Sequence, residues 1–124
     1  MVVSTSTSYG VALGSVAAYA SKTSVTLSFG SGVNITNIKK IDYTLMEMKQ
    51  DGSGGTEIKS ESYVMGVDNF FSQDGNTVEL KITPAGLQLT TGNSYYIVMT
   101  FWVSQNGQLV QLNNKNYEYT IKFK

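Results

Sequence analysis

The nine acidic side chains are the first candidates for chemistry, because two carboxylates brought together can act as general acid and base in hydrolysis. They are scattered singly, and none forms a local pair within a supporting motif: Asp42, Glu47, Asp51, Glu57, Glu61, Asp68, Asp74, Glu79 and Glu118. His, Cys and Arg are absent from the sequence. The chain therefore lacks the commonest general base, the thiolate nucleophile and the bidentate anion-binding side chain. We expect no enzyme activity, no cofactor and no metal site.

Charge and length exclude further classes of function. Nine Lys balance nine acidic residues in a chain of 124 residues, the size of one domain. A neutral chain offers no basic face to displace counterions from nucleic acid, so we expect no nucleic-acid partner. No apolar run is long enough to span a membrane. The Ala18-x-Ala20 pattern has the form of a signal cleavage site, but no basic residue precedes Lys22, so we expect no cleaved signal.

The elements that carry these side chains are strands, because apolar residues alternate with polar ones in several short segments. The alternation is clearest in four of them, which are 24–29, 77–83, 95–104 and 117–124. Asn106-Gly107 is the strongest hairpin signal between such segments. Turn signals recur about every 8–12 residues, and no amphipathic helix is predicted. The pattern predicts an all-β domain of seven to eight antiparallel strands.

The first half of the chain is harder to interpret. Residues 1–15 are predicted to form an extended N-terminal arm, and residues 16–124 the domain itself. Ile35, Ile38 and Ile41 have helical spacing in a short polar segment, which favours a turn or a one-turn helix. The apolar phase of the next strand slips at Met46 and Met48, and such a slip is typical of a β-bulge.

One motif has a structural meaning of its own. Leu89, Gly92 and Tyr95 form a Leu-x-x-Gly-x-x-Tyr pattern directly before the strongest predicted strand. From Thr77 to Lys124 the chain resembles the C-terminal half of immunoglobulin-like and fibronectin type III-like sandwiches. In those domains, a tyrosine corner pins the crossover between the sheets. The resemblance implies an immunoglobulin-like β-sandwich in which Tyr95 is the corner.

The first half departs from that family pattern, with no Trp in the third strand and no pair of Cys. A divergent bacterial or viral relative therefore fits better than an antibody-type domain. Immunoglobulin-like domains recur on bacteriophage capsids and tails. The resemblance thus implies a non-enzymatic structural module of a virion, such as a capsid decoration, head fibre or tail protein. Its partner would be a protein, either the virion shell or a second copy of the chain.

The strand that begins at Tyr95 predicts a candidate partner-binding surface. If Tyr95 points inward, the opposite face carries Tyr96, Val98 and Trp102, where a solvated sheet would be polar. Either loops or the arm cover this face, or it is an exposed patch that binds a partner. A register slip of one residue would exchange the two faces. Phe70 and Phe71 are further candidates in a loop or at a sheet edge.

The same aromatic residues leave a second function open. Exposed rings with Asn and Gln nearby could stack on a sugar, so a carbohydrate-binding or adhesive module is the alternative. The predicted localisation is the virion, or the extracellular space or cell surface under this alternative.

Overall fold

The chain is an all-β protein in a computed structural model that describes residues 11, 13–30, 33–35, 37–49, 51, 54–64, 71–74 and 77–123. The prediction of the fold class is confirmed at this level. The described residues form nine strands, where seven to eight were predicted: β1 (Val16–Ala20), β2 (Val25–Phe29), β3 (Ile38–Met48), β4 (Gly55–Val64), β5 (Phe71–Asp74), β6 (Thr77–Ile82), β7 (Tyr95–Gln105), β8 (Gln108–Gln111) and β9 (Tyr117–Phe123).

The strands pair into one curled sheet with the order β4-β3-β7-β9-β1-β2-β6-β5, and β8 adds to the end of β7. The sheet has two halves, β4-β3-β7-β9 and β1-β2-β6-β5. β1 joins them, because it pairs antiparallel with β2 and parallel with β9. The prediction of a purely antiparallel sheet is therefore wrong. Parallel pairing of β1 with β9 joins the start and the end of the chain, which no local turn signal can indicate.

Alternation explains how both halves bury one face. The inward residues of β2 and β7 are fully buried at every second position, and the residues between them are half-buried. The predicted parity of β7 is confirmed, since Tyr95 is inside and Tyr96 is outside. One apolar cluster contains buried residues from both halves, so the sheet must curl around it. No polar or charged side chain is buried in the part of the chain that the structure describes.

Two register shifts explain the irregular apolar pattern in the first half of the sequence. Ile38 pairs with Val103 and Lys40 with Trp102, so Lys39 is the extra residue of a bulge in β3. This bulge lets Ile38 and Ile41 both point inward at a spacing of three. A turn is expected at this spacing, and the Ile38 amide does donate to the Ile35 carbonyl (3.1 Å), as in a turn. The alternative of a one-turn helix is wrong, because the chain continues from Ile38 as β3.

The second shift lies between Leu45 and Met46 of β3, where a bulge was predicted. Leu45 pairs with Lys59 and Met46 with Glu57, so the extra residue, Ile58, belongs to β4. β3 itself keeps its alternation there, with Leu45 buried and Met46 half-buried.

The hairpin and the interruption in the last third follow from backbone geometry. Asn106 (φ 52°) and Gly107 (φ 80°) both adopt positive φ, as a tight hairpin between twisted strands requires. A 3₁₀ turn at Leu112–Asn114 separates β8 from β9 and contains Asn113 at φ 53°. Asn accepts this conformation more readily than most residues.

Part of the predicted N-terminal arm packs against the domain. Val11 is buried in the core, and the Ser15 carbonyl accepts a hydrogen bond from the Gly30 amide (2.6 Å). Residues 1–10 and 12 of the arm lie outside the described residues. None of the described segments is a helix with the length and hydropathy needed to cross a bilayer.

Candidate functional site

The outer face of β3, β4 and β7 carries the strongest departure from an ordinary solvated sheet, and we call it the Trp102 face. Cross-strand pairing builds it in rows, because residues of equal parity on neighbouring strands lie side by side. Lys40 pairs with Trp102, and Asp42 pairs with both Thr100 and Ser62. The face consists of the outward residues Lys40, Asp42, Thr44, Met46, Ser60, Ser62, Tyr96, Val98, Thr100 and Trp102.

Asp42 organises one end of this face. Its carboxylate accepts a hydrogen bond from the Trp102 indole Nε1 (2.9 Å) and another from Ser62 Oγ (2.5 Å). Lys40 Nζ lies 3.7 Å from the same carboxylate and 5.7 Å from the centre of the Trp102 ring. An ion pair with a cation–π contact thus holds a half-buried indole in one orientation.

Hydroxyl and amide groups surround this end of the face. Asn116 Oδ1 accepts hydrogen bonds from Thr100 Oγ1 and from Gln111 Nε2. On the other side, Thr44 Oγ1 and Ser60 Oγ lie 3.0 Å apart and share a hydrogen bond. The result is a fixed aromatic surface bordered by polar groups that already have partners.

Tyr96 forms the other end of the Trp102 face. Its ring lies against Gly55 so closely that a Cβ at position 55 would be 2.6 Å from the tyrosine Oη. Gly55 therefore lets the Tyr96 ring come close to the β4 backbone. A shallow cavity of about 220 Å³ opens beside it, lined by Met48, Gly54, Tyr96, Glu118 and Thr120.

The predicted aromatic candidates do not all lie together. The structure brings Tyr96, Val98 and Trp102 onto one face, all of them half-buried. Phe71 lies in the other half of the sheet, on β5, where its ring packs edge-on against buried Phe29 at 5.7 Å. It does not belong to the Trp102 face. Phe70 lies outside the described residues.

The sequence alone did not assign Asp42 or Lys40 to this surface. Their role depends on pairing with Trp102, 60 residues further along the chain. A local signal does exist, because Asp42 alternates with the apolar residues Ile41 and Tyr43. That signal predicts an outward carboxylate but not the residue that it meets.

The corner motif lies between the two halves. The Tyr95 hydroxyl accepts a hydrogen bond from the Thr90 amide (2.9 Å), five residues upstream, while Leu89 is buried and Gly92 has φ +103°. The Leu89 amide also donates to the Lys22 carbonyl (2.7 Å), which ties this connection to the turn between β1 and β2. Tyr95 thus bonds back to the backbone of the segment that leads into its own strand.

Two tyrosines in the half that contains β3 and β9 have raised pKa values. Burial raises the pKa of Tyr43, and the hydrogen bond that its Oη donates to Glu61 Oε1 (2.6 Å) raises it further. Burial is also the main cause of the raised pKa of Tyr119, with the neighbouring Tyr117 as the second cause. Both side chains therefore stay neutral and act as packing and hydrogen-bonding groups.

No protein-family model matches the chain, and no curated protein sequence matches it.

Proposed function

We propose that the curled sheet closes as an immunoglobulin-like sandwich and serves as a non-enzymatic docking module. The strand order supports the fold, because β1-β2-β6-β5 corresponds to the A-B-E-D sheet of such domains and β4-β3-β7-β9 to the C′-C-F-G sheet. The Tyr95 hydrogen bond at the start of β7 supports it at the position of the corner. Tyr43 on β3 is fully buried where antibody domains carry a core Trp.

The docking function is inferred from one observation, the fixed orientation of the Trp102 indole. A side chain that is already ordered loses little entropy on binding, and Trp and Tyr dominate the binding energy of protein interfaces. Trp102 is held by Asp42 and Lys40 and remains half-buried. Tyr96 and Val98 continue the same surface, and the groups that border it are polar, as in the rim of an interface. We therefore assign the Trp102 face to a protein partner.

The family resemblance suggests the setting of this docking. Immunoglobulin-like domains decorate virions, and a neutral domain with few charges can pack closely in many copies. We propose that the partner is a virion shell or tail protein encoded by the same genome. This setting rests on the fold analogy and not on a residue of the Trp102 face.

A carbohydrate ligand is the second candidate, and the groups around Trp102 favour it. Trp102 pairs with Gln111 across β7 and β8, and the side chains of Gln111 and Thr100 both bond to Asn116. Such hydroxyl and amide groups hydrogen-bond to sugar hydroxyls. Stacking of a sugar on the ring would use the same preorganised orientation.

A binding assay with one substitution separates these proposals. The wild-type protein should cosediment with particles assembled from the shell proteins of its own genome, and Trp102→Ala should abolish this. Ser28→Ala lies on the outer face of β2 and is the matched control, expected to bind like the wild type. Retention on a glycan array that is lost in Trp102→Ala would instead support the carbohydrate ligand. Binding of neither, or binding unaffected by Trp102→Ala, would refute the assignment of this face.

A further inference from the structure

We propose that the protein forms a two-fold symmetric dimer in which β4 pairs antiparallel with β4 of a second copy, about an axis through Ser60. β4 lies at one end of the strand order and, among the described strands, pairs only with β3. It is ten residues long, whereas natural proteins tend to keep exposed edge strands short. A long edge offers backbone amides and carbonyls to another strand.

The described residues around β4 leave room for that strand. Glu61 pairs with buried Tyr43, and the hydrogen bond between their side chains places both on the inner side of the sheet. Glu61 is nevertheless exposed, so the other half of the sheet does not cover it. Ser60 and Ser62, on the outer side, are also exposed and small. A second copy can therefore approach either side of this segment.

The charges on β4 favour a second copy of the chain as the partner strand, and they determine the register in which the two strands pair. Lys59 and Glu61 flank Ser60 and point to the same side of the strand. Reversal of the strand about Ser60 places each Lys59 opposite Glu61 of the other copy, so two equivalent ion pairs form. Opposite charges directly across an antiparallel pair are favourable, and like charges there are unfavourable. The Lys40–Asp42 ion pair uses neither residue.

The Tyr43 hydroxyl restrains one member of each pair. It donates to Glu61 Oε1 at 2.6 Å, which fixes the carboxylate at the edge of the sheet. The bulge at Ile58 ends the regular part of β4 on one side. The shared ladder is therefore short, and we expect a weak dimer that depends on concentration.

The charges on β4 have an opposite interpretation, which makes the proposal testable. Lys side chains and bulges on edge strands often prevent pairing between sheets. If Lys59 has that role, the protein stays monomeric and loss of the lysine charge promotes association. If Lys59 pairs with Glu61 of a second copy, loss of the charge weakens association.

Complementary single substitutions test the register by sedimentation velocity. Lys59→Glu places Glu at both positions, and Glu61→Lys places Lys at both. Each variant opposes like charges in its own dimer, so we expect its dimer Kd to rise at least about tenfold. An equimolar mixture restores opposite charges at every position and should form a heterodimer with a Kd near that of the wild type.

Matched controls come from β6, where Glu79 and Lys81 are also exposed and two residues apart. Lys81→Glu and Glu79→Lys change the net charge identically and should leave the wild-type Kd unchanged. Circular dichroism checks that each variant is folded. If Glu61→Lys does not fold, Lys59→Glu decides alone, because it leaves the bond between Tyr43 and Glu61 intact.

Three results would overturn the dimer: a wild-type protein that is monomeric up to about 1 mM, a mixture that does not associate, or stronger association in Lys59→Ala. Ser60 belongs both to the dimer axis and to the Trp102 face, but the dimer forms through the backbone edge of β4, whereas docking depends on the Trp102 ring on β7. Trp102→Ala should abolish partner binding and leave the dimer Kd unchanged, so the failure of one proposal does not affect the other.

Discussion

The outer faces of the two halves of the sheet differ, although the inner faces beneath them are both apolar and buried. The outer face of β1, β2 and β6 carries one aromatic ring, Tyr19, and otherwise consists mostly of small hydroxyl groups and charges. They surround a shallow cavity of about 340 Å³, lined by Tyr19, Ala20, Ser21, Ser24, Thr26, Ser28, Glu79 and Lys81. This is the composition of an ordinary solvated sheet. The Trp102 face instead fixes a half-buried indole through hydrogen bonds between strands. Since the core needs only the inner residues, the outer Trp and Tyr are available for another task.

The core under each outer face is tested by truncating one buried leucine. Leu27 of β2 and Leu45 of β3 are both fully buried. We expect Leu27→Ala and Leu45→Ala each to lower the free energy of unfolding by about 2–5 kcal/mol, through lost apolar contacts and a cavity. Urea denaturation followed by circular dichroism measures both. Because one cluster joins the halves, each variant should keep a single transition, and a second transition would show two independent units.

The dependence of the unfolding free energy on alkaline pH should come from one half of the sheet, since both tyrosines with raised pKa values lie in the half that carries the Trp102 face. An unfolded tyrosine ionises near pH 10, whereas folded Tyr43 stays protonated above that pH. The stabilisation is therefore complete below pH 10 and is lost as the pH rises above it. We expect a loss of about 1.4 kcal/mol per pH unit for Tyr43.

Urea denaturation at pH 9, 10 and 11 would measure this slope. Tyr43→Phe should make the slope shallower while keeping the ring packed in the core. A slope identical in Tyr43→Phe and the wild type would show that Tyr43 ionises equally in both states.

Much of this fold is predictable from the sequence, and the failures have physical causes. The strong alternation of β7 fixes which residues point inward, and Asn106-Gly107 marks the hairpin that follows. Alternation does not predict the start of β3, because the bulge at Lys39 gives Ile38 and Ile41 the spacing of a helix. Bulges depend on the partner strand, which a single segment does not reveal.

The candidate site was predictable only in part for the same reason. Parity alone places Tyr96, Val98 and Trp102 on one face. The contact between Asp42 and Trp102 needs the register of β3 on β7, which a separation of 60 residues along the chain leaves open. The parallel pairing of β1 with β9 is also a long-range choice, made by packing rather than by local propensity.

Adjacent tyrosines on β7 provide a smaller test, because one points to the core and the other to the Trp102 face. Tyr95→Phe removes the hydrogen bond from the Thr90 amide, and we expect it to cost about 1 kcal/mol of unfolding free energy. Tyr96→Phe is the matched control and should cost less than about 0.5 kcal/mol. Thermal unfolding monitored by circular dichroism compares them. Equal losses would contradict the role of Tyr95 as a corner.

The smallest expected effect on stability concerns Asp42, yet it tests the Trp102 face most directly. Asp42→Ala removes a partly exposed carboxylate, so the free energy of unfolding should fall by less than about 1 kcal/mol. The indole loses its hydrogen-bond acceptor and the ion pair beside it. Trp102 is the single tryptophan of the chain, so its fluorescence reports on this face alone. We expect acrylamide quenching to increase in Asp42→Ala and to stay unchanged in Glu79→Ala on the other outer face. If quenching is the same in all three proteins, packing against the sheet alone orders the indole. The preorganisation of the docking surface would then not depend on the carboxylate.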